Sequence, residues 1–163
     1  MKKLAIILLL IIAGALILLP LISSCQTPAA KKQAGRFALK TSLIFVSGIA
    51  DGTRETLKWH YPRFKAVFPG ANDSYWNPSL SSSRKYKGGN PANGPAFPGA
   101  TGGLVWTRDG YHLMGMLRNA PMIIGVTIPI GGPPRKWYSY AAEAASYYLA
   151  YTVGFSFTYD IIF

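Results

Sequence analysis

The chain has 163 residues, half of them hydrophobic, and carries 17 Lys and Arg against 6 Asp and Glu, a formal charge of +11. That length holds one domain and little more, and a single cysteine, Cys25, excludes an internal disulfide. The basic balance favours anionic partners, either lipid surfaces or nucleic acid.

The N-terminus has three parts. Met1-Lys2-Lys3 is basic, Leu4 to Leu19 is an unbroken run of Leu, Ile and Ala with one Gly, and Pro20 precedes Leu21-Ile22-Ser23-Ser24-Cys25. This is the logic of an export signal: charge kept in the cytoplasm, an apolar helix, then small residues at the cleavage point. Ile22-Ser23-Ser24-Cys25 resembles the lipobox of bacterial lipoproteins. Cys25 is therefore the expected lipidation site, and residues 1–24 the expected signal peptide. A lone thiol in an exported chain needs a use other than pairing, and two or three acyl chains give stable anchoring where one does not. The competing reading is an uncleaved anchor, since the apolar run exceeds the roughly 7–15 residues of a signal core and approaches the ~20 of a span. Cleavage leaves 139 residues (163 − 24) and a charge of about +9, because Lys2 and Lys3 are lost. An exported chain seldom meets nucleic acid, so the expected partners are membrane lipids and an envelope protein.

Residues 25–36 read as a basic tether, and 37–163 as the domain proper. From about Phe37 the pattern turns helical, through the apolar stretch around Leu43 to Ala50 and on to His60, with Pro62 ending or kinking the helix. Its apolar part is ~14 residues, about 21 Å long, so a buried or tilted helix competes with a span. Phe68 to Gly103 is a long segment punctuated by Pro, Gly, Asn and Ser, of a length that is usually functional or disordered. Aromatics flanked by Pro argue for order, and Tyr75, Trp76, Arg84, Lys85 and Lys87 make it the expected interaction loop.

A second helix is expected over about Thr101–Asn119, interrupted by Pro121. A third begins near Trp137, where Ala141 to Ala145 is strongly helix-forming. From Tyr151 to Phe163 apolar and polar residues nearly alternate, which is a strand signal. One strand does not make a barrel, so the expectation there stays helical. The fold class is mainly α: a small membrane-associated domain of about three helices with a long ordered Pro/Gly-rich loop. The 10 Tyr and 4 Trp suit the membrane–water interface. If the first two helices span, the basic 58–103 segment sits in the cytoplasm by the positive-inside rule; if neither does, the whole domain lies outside.

Asp51-Gly52-Thr53 through His60, Tyr75-Trp76-Asn77-Pro78 and Thr107-Arg108-Asp109-Gly110-Tyr111-His112-Leu113 resemble an uncharacterised family of small bacterial helical membrane proteins, over roughly residues 47–115. The chain departs from that pattern at Ser81-Ser82-Ser83-Arg84-Lys85, where the family has a Trp. The resemblance implies a membrane-associated helical protein and carries no activity with it.

Six acidic residues and two histidines are present, and all but Asp73 fall on expected helices. Ionisable groups in or near lipid mark candidate sites. Asp51 and Glu55 share a helix face, as do Asp109 and His112. A carboxylate-x-x-His pair facing a carboxylate helix is how bundles hold metals, so Glu55, His60, Asp109 and His112 form a candidate site for Zn, Fe or Mn. His60 lies about 140° around the helix from Glu55, which works against convergence. The competing reading pairs these carboxylates with Arg54, Lys58 and Arg108 to join helices. No phosphate loop and no nucleophile elbow appears, and no cofactor is expected. The leading expectation is a non-enzymatic envelope lipoprotein; the alternative is a small membrane enzyme or metal-binding protein built on those four residues.

Overall fold

The computed structural model describes residues 27–132 and 135–163; Cys25 and the expected signal peptide lie outside the described residues. Helix α1 spans Pro28–Trp59. Thr27 starts it: its side chain accepts the Ala30 amide at 3.2 Å, and Pro28 fills a first-turn position where a missing N–H costs nothing. Most of the expected basic tether is therefore the first turns of a helix that begins nine residues before Phe37. It ends at His60, whose backbone leaves the helical region.

Short helices follow: α2 (Tyr61–Val67), α3 (Asp73–Trp76) and α4 (Pro78–Ser81). Asn72 and Asn77 cap α3 and α4 by accepting the Ser74 and Ser79 amides. Four 3₁₀ turns, from Ser82–Lys85 to Val105–Thr107, and an isolated antiparallel bridge between Tyr86 and Pro95 order the remainder of the Pro/Gly-rich segment. Helix α5 runs Gly110–Thr127 and α6 runs Trp137–Ser156, continuing as a π turn over Phe157–Ile162. The chain is mainly helical, and no strand occurs among the described residues. Among the described residues there are six α-helices rather than about three, although only α1, α5 and α6 are long.

Two expectations are corrected in detail. The second long helix starts at Gly110, nine residues later than the expected start near Thr101, because Asp109 supplies the cap. Pro121 sits inside α5 without ending it; the bond lost to the proline is outweighed by the packing of α5 along α1. Of the near-alternating residues 151–163, those up to Ile162 are helical, as expected.

The three long helices form a bundle. Gly125 of α5 lies against Leu43 and Ile44 while Gly115 lies against Arg54, so α5 runs antiparallel to α1. Helix α6 runs parallel to α1, with Glu143 at Lys40 and Tyr151 at Asp51. The α1–α6 approach is backbone to backbone. A Cβ at Gly48 would overlap the Tyr151 carbonyl and lie 3.0 Å from the Phe155 nitrogen; one at Gly154 would overlap the Phe45 carbonyl and lie 3.1 Å from the Ile49 nitrogen. Gly52 is equally closed off by Thr158 and Phe155, and the Thr158 hydroxyl donates across the interface to the Ile49 carbonyl at 3.2 Å. Gly48-x-x-x-Gly52 facing Gly154-x-x-x-Thr158 is the small-residue packing that lets helices associate without a large apolar core.

Around a small apolar core that includes Ile44, Leu57 and Phe157, the bundle also buries polar groups and leaves large apolar side chains exposed. Lys40, Ser47, Thr56 and Thr158 are at most 8% exposed, whereas Ile123, Ile124, Val126, Leu149 and Val153 are 52–61% exposed. No described helix is long and apolar enough to cross a membrane.

Candidate functional site

Charges converge inside the bundle at two levels. At the first, Asp51 accepts from Arg118 Nη1 at 3.1 Å and from the Tyr151 hydroxyl, with Arg54 Nη1 at 3.7 Å. Arg54 also pairs with Glu55 at 2.9 Å, donates to the Tyr111 hydroxyl and lies over that ring, 4.3 Å from its centroid. Asp51, Arg54, Arg118, Tyr111 and Tyr151 thus join all three long helices. At the second level Glu143 accepts from Lys40 at 3.2 Å, Arg135 at 2.7 Å and the Tyr147 hydroxyl at 2.6 Å. Partly buried pairs of this kind are costly to break, because removing one partner strands the others.

The four residues expected as a metal site are placed apart. Glu55 is engaged by Arg54 and by Trp59 Nε1 at 3.0 Å. His60 caps the end of α1 and meets the Tyr159 hydroxyl at 2.9 Å. Asp109 and His112 do come together: Asp109, 2% exposed, accepts the His112 amide at 2.7 Å and lies 2.8 Å from Nδ1 through each oxygen. That geometry is an N-cap whose carboxylate also orients an imidazole. Among the described residues, no three His, Cys, Asp or Glu side chains come together as a metal-holding group.

The expected interaction loop is partly structural. The Tyr75 hydroxyl donates to the Trp106 carbonyl at 3.0 Å, and burial followed by the nearby Asp109 charge pushes its ionisation up. Trp76 packs on Phe64 and fills the space a Cβ would need at Gly110. Arg84 holds the Ser74 carbonyl at 3.1 Å and Lys85 leans over Tyr86, while Lys87 is exposed. Beside them Asp73 takes hydrogen bonds from Lys65 and Tyr61, both at 2.6 Å. These hold the Asp73 carboxyl below the usual range, and burial together with Asp73 pushes Tyr61 up to about 12.

Between this segment and the bundle lies an apolar groove of about 660 Å³, walled by Phe64, Phe68, Trp76, Phe157 and Phe163. Its two threonine hydroxyls, from Thr53 and Thr158, are both spent on backbone carbonyls. The groove is therefore largely hydrocarbon in character.

Gly48 and Gly52 were not singled out from the sequence, although their four-residue spacing is the signal for a close helix contact. Arg118 and Tyr151 had no local signal, since their partner Asp51 lies 67 and 100 residues away. No family model, curated protein or solved structure matches this chain.

Proposed function

We infer that this chain is a non-enzymatic membrane protein of the bacterial cell envelope, with a structural or partner-binding role. The bundle of α1, α5 and α6 rests its apolar flank against lipid, and the segment from Phe68 to Arg108 meets an envelope partner. One observation carries the reading: beside a small apolar core that includes Ile44 and Leu57, the long helices bury paired polar groups and leave large apolar side chains exposed. Lys40, Asp51, Glu143 and Thr158 turn inward, each with a partner, while Ile123, Ile124, Leu149 and Val153 turn outward. In water this arrangement wastes roughly 25 cal/mol for every Å² of apolar surface left wet. Against lipid the same surface is solvated, and inward-facing, paired charges are the expected arrangement.

The Asp109–His112 pair is accounted for by capping α5, and the groove is lined mainly by apolar side chains. Acylation at Cys25 supplies the anchor in this reading, with the bundle adding a second attachment.

Fractionation of cells expressing the full chain tests it. The protein is expected in the membrane fraction and resistant to high salt, and mass spectrometry is expected to show a thioether-linked lipid at Cys25. Recovery in the soluble fraction with an intact Met1 would end this reading.

A further inference from the structure

The end of the bundle where α1 begins, α5 ends and α6 begins gathers six cations and one carboxylate. Lys31 and Lys32 are exposed on the first turn of α1, and Lys136 is exposed just before α6. Arg36 donates to the Pro129 and Ile130 carbonyls at 3.1 and 3.5 Å, which ties the α5–α6 linker to α1 and brings the two basic stretches to one level. Lys40 and Arg135 share the only acid there, Glu143. Five positive charges are left in excess. Trp137, Tyr138 and Tyr140 stand at the same level, 79%, 53% and 51% exposed. Arg135 and Lys136 lie over the Tyr140 and Tyr138 rings.

We propose that this end of the bundle is a docking face for anionic phospholipid headgroups, with the lysines at the phosphates and the aromatic rings at the headgroup–acyl boundary. The proposal rests on the membrane reading above and adds an orientation and a lipid preference to it. Charge alone would fit any polyanion. The occupant is lipid because the basic face borders apolar surface directly: Val126 lines the same hollow as Lys40 and Tyr140, and Ile124 is exposed on the same last turns of α5. Amphipathic rings between cations and hydrocarbon are what a membrane–water interface selects, and basic residues beside it draw anionic lipid.

The test uses the full chain with phosphatidylcholine vesicles containing phosphatidylglycerol, one lipid brominated at a time. Fluorescence quenching is read as the part of the signal lost in Trp137→Phe. Brominated phosphatidylglycerol is expected to quench Trp137 beyond its share of the bilayer. The combined Lys31→Gln, Lys32→Gln and Lys136→Gln variant is expected to lose that enrichment, so that each brominated lipid quenches in proportion to its share; none of the three lysines holds another element in place, so folding is retained. Equal quenching by the two lipids, or a preference that survives the triple variant, would refute the docking face while leaving membrane attachment intact. Failure to associate with any vesicle would remove both. A DNA duplex that binds through the same lysines and displaces the vesicles would assign the face to nucleic acid instead.

Discussion

Tyr151 donates its hydroxyl to the Asp51 carboxylate across the α1–α6 interface, where Arg54 and Arg118 also meet it. Replacing Asp51 with Ala leaves two guanidinium groups facing each other inside the bundle. The expected cost is about 2–3 kcal/mol, read as a fall in the thermal midpoint of the helical circular dichroism signal. Tyr151→Phe removes one hydrogen bond and costs about 1 kcal/mol. An Asp51→Ala protein as stable as the parent would show that the network does not hold the helices.

The glycine interface makes two alanine substitutions act with opposite signs. Gly35 lies in α1 with no atom near its missing Cβ, so Gly35→Ala stabilises by about 0.5–1 kcal/mol through helix propensity. Gly48→Ala gains the same propensity and drives a methyl into the Tyr151 backbone, for a net loss of about 1–3 kcal/mol. Denaturant midpoints of the two variants check this. Equal stabilisation by both would mean that α1 and α6 do not approach at Gly48.

Asp109 is predicted to matter as a cap. Asp109→Asn retains an oxygen for the His112 amide and is expected to lose a few tenths of a kcal/mol, while Asp109→Ala loses about 1–2 kcal/mol. A large loss of stability in both variants, measured by thermal unfolding, would point to the charge rather than to capping.

The Tyr61–Asp73–Lys65 cluster predicts two pH effects. Asp73 has its carboxyl lowered in the fold, so its contribution is complete above the ordinary carboxylate range and is lost as pH falls through the lowered value. Tyr61 is raised to about 12, so its contribution is complete below the usual tyrosine value near 10 and is lost as pH rises through about 12. In Asp73→Asn, tyrosine-resolved NMR titration should show Tyr61 ionising at lower pH, yet still above its ordinary value, because burial is the larger cause. No change in that titration would mean the hydrogen bond is not formed.

Much of the helical architecture was legible, and the reasons for the rest are local. Apolar runs at Leu43 to Ala50 and Ala141 to Ala145 mark long helices, but periodicity does not fix where a helix starts. Thr27 followed by Pro28, and Asp109, are the capping residues that move the starts of α1 and α5. Asp109 and His112 illustrate a degeneracy: an acid three residues before a histidine fits an N-cap as well as a metal pair, and burial of the carboxylate against the His112 amide decides for the cap. His60 reads as a helix-face residue in the sequence, yet α1 ends at Trp59 and turns it toward Tyr159. The Gly48-x-x-x-Gly52 spacing was present in the sequence, but its partner at Gly154 is set by the α1–α6 register. The combination of buried, paired polar groups with exposed apolar side chains emerges only when burial is compared across three helices.

The central claim is that the exposed apolar side chains of α5 and α6 face lipid. It is tested most directly by placing a photo-crosslinking benzophenone amino acid at positions 124, 149 and 153 of the full chain in cells. Irradiation is expected to give lipid adducts at all three positions. Crosslinks to protein alone, or no adducts from membranes that contain the chain, would contradict it.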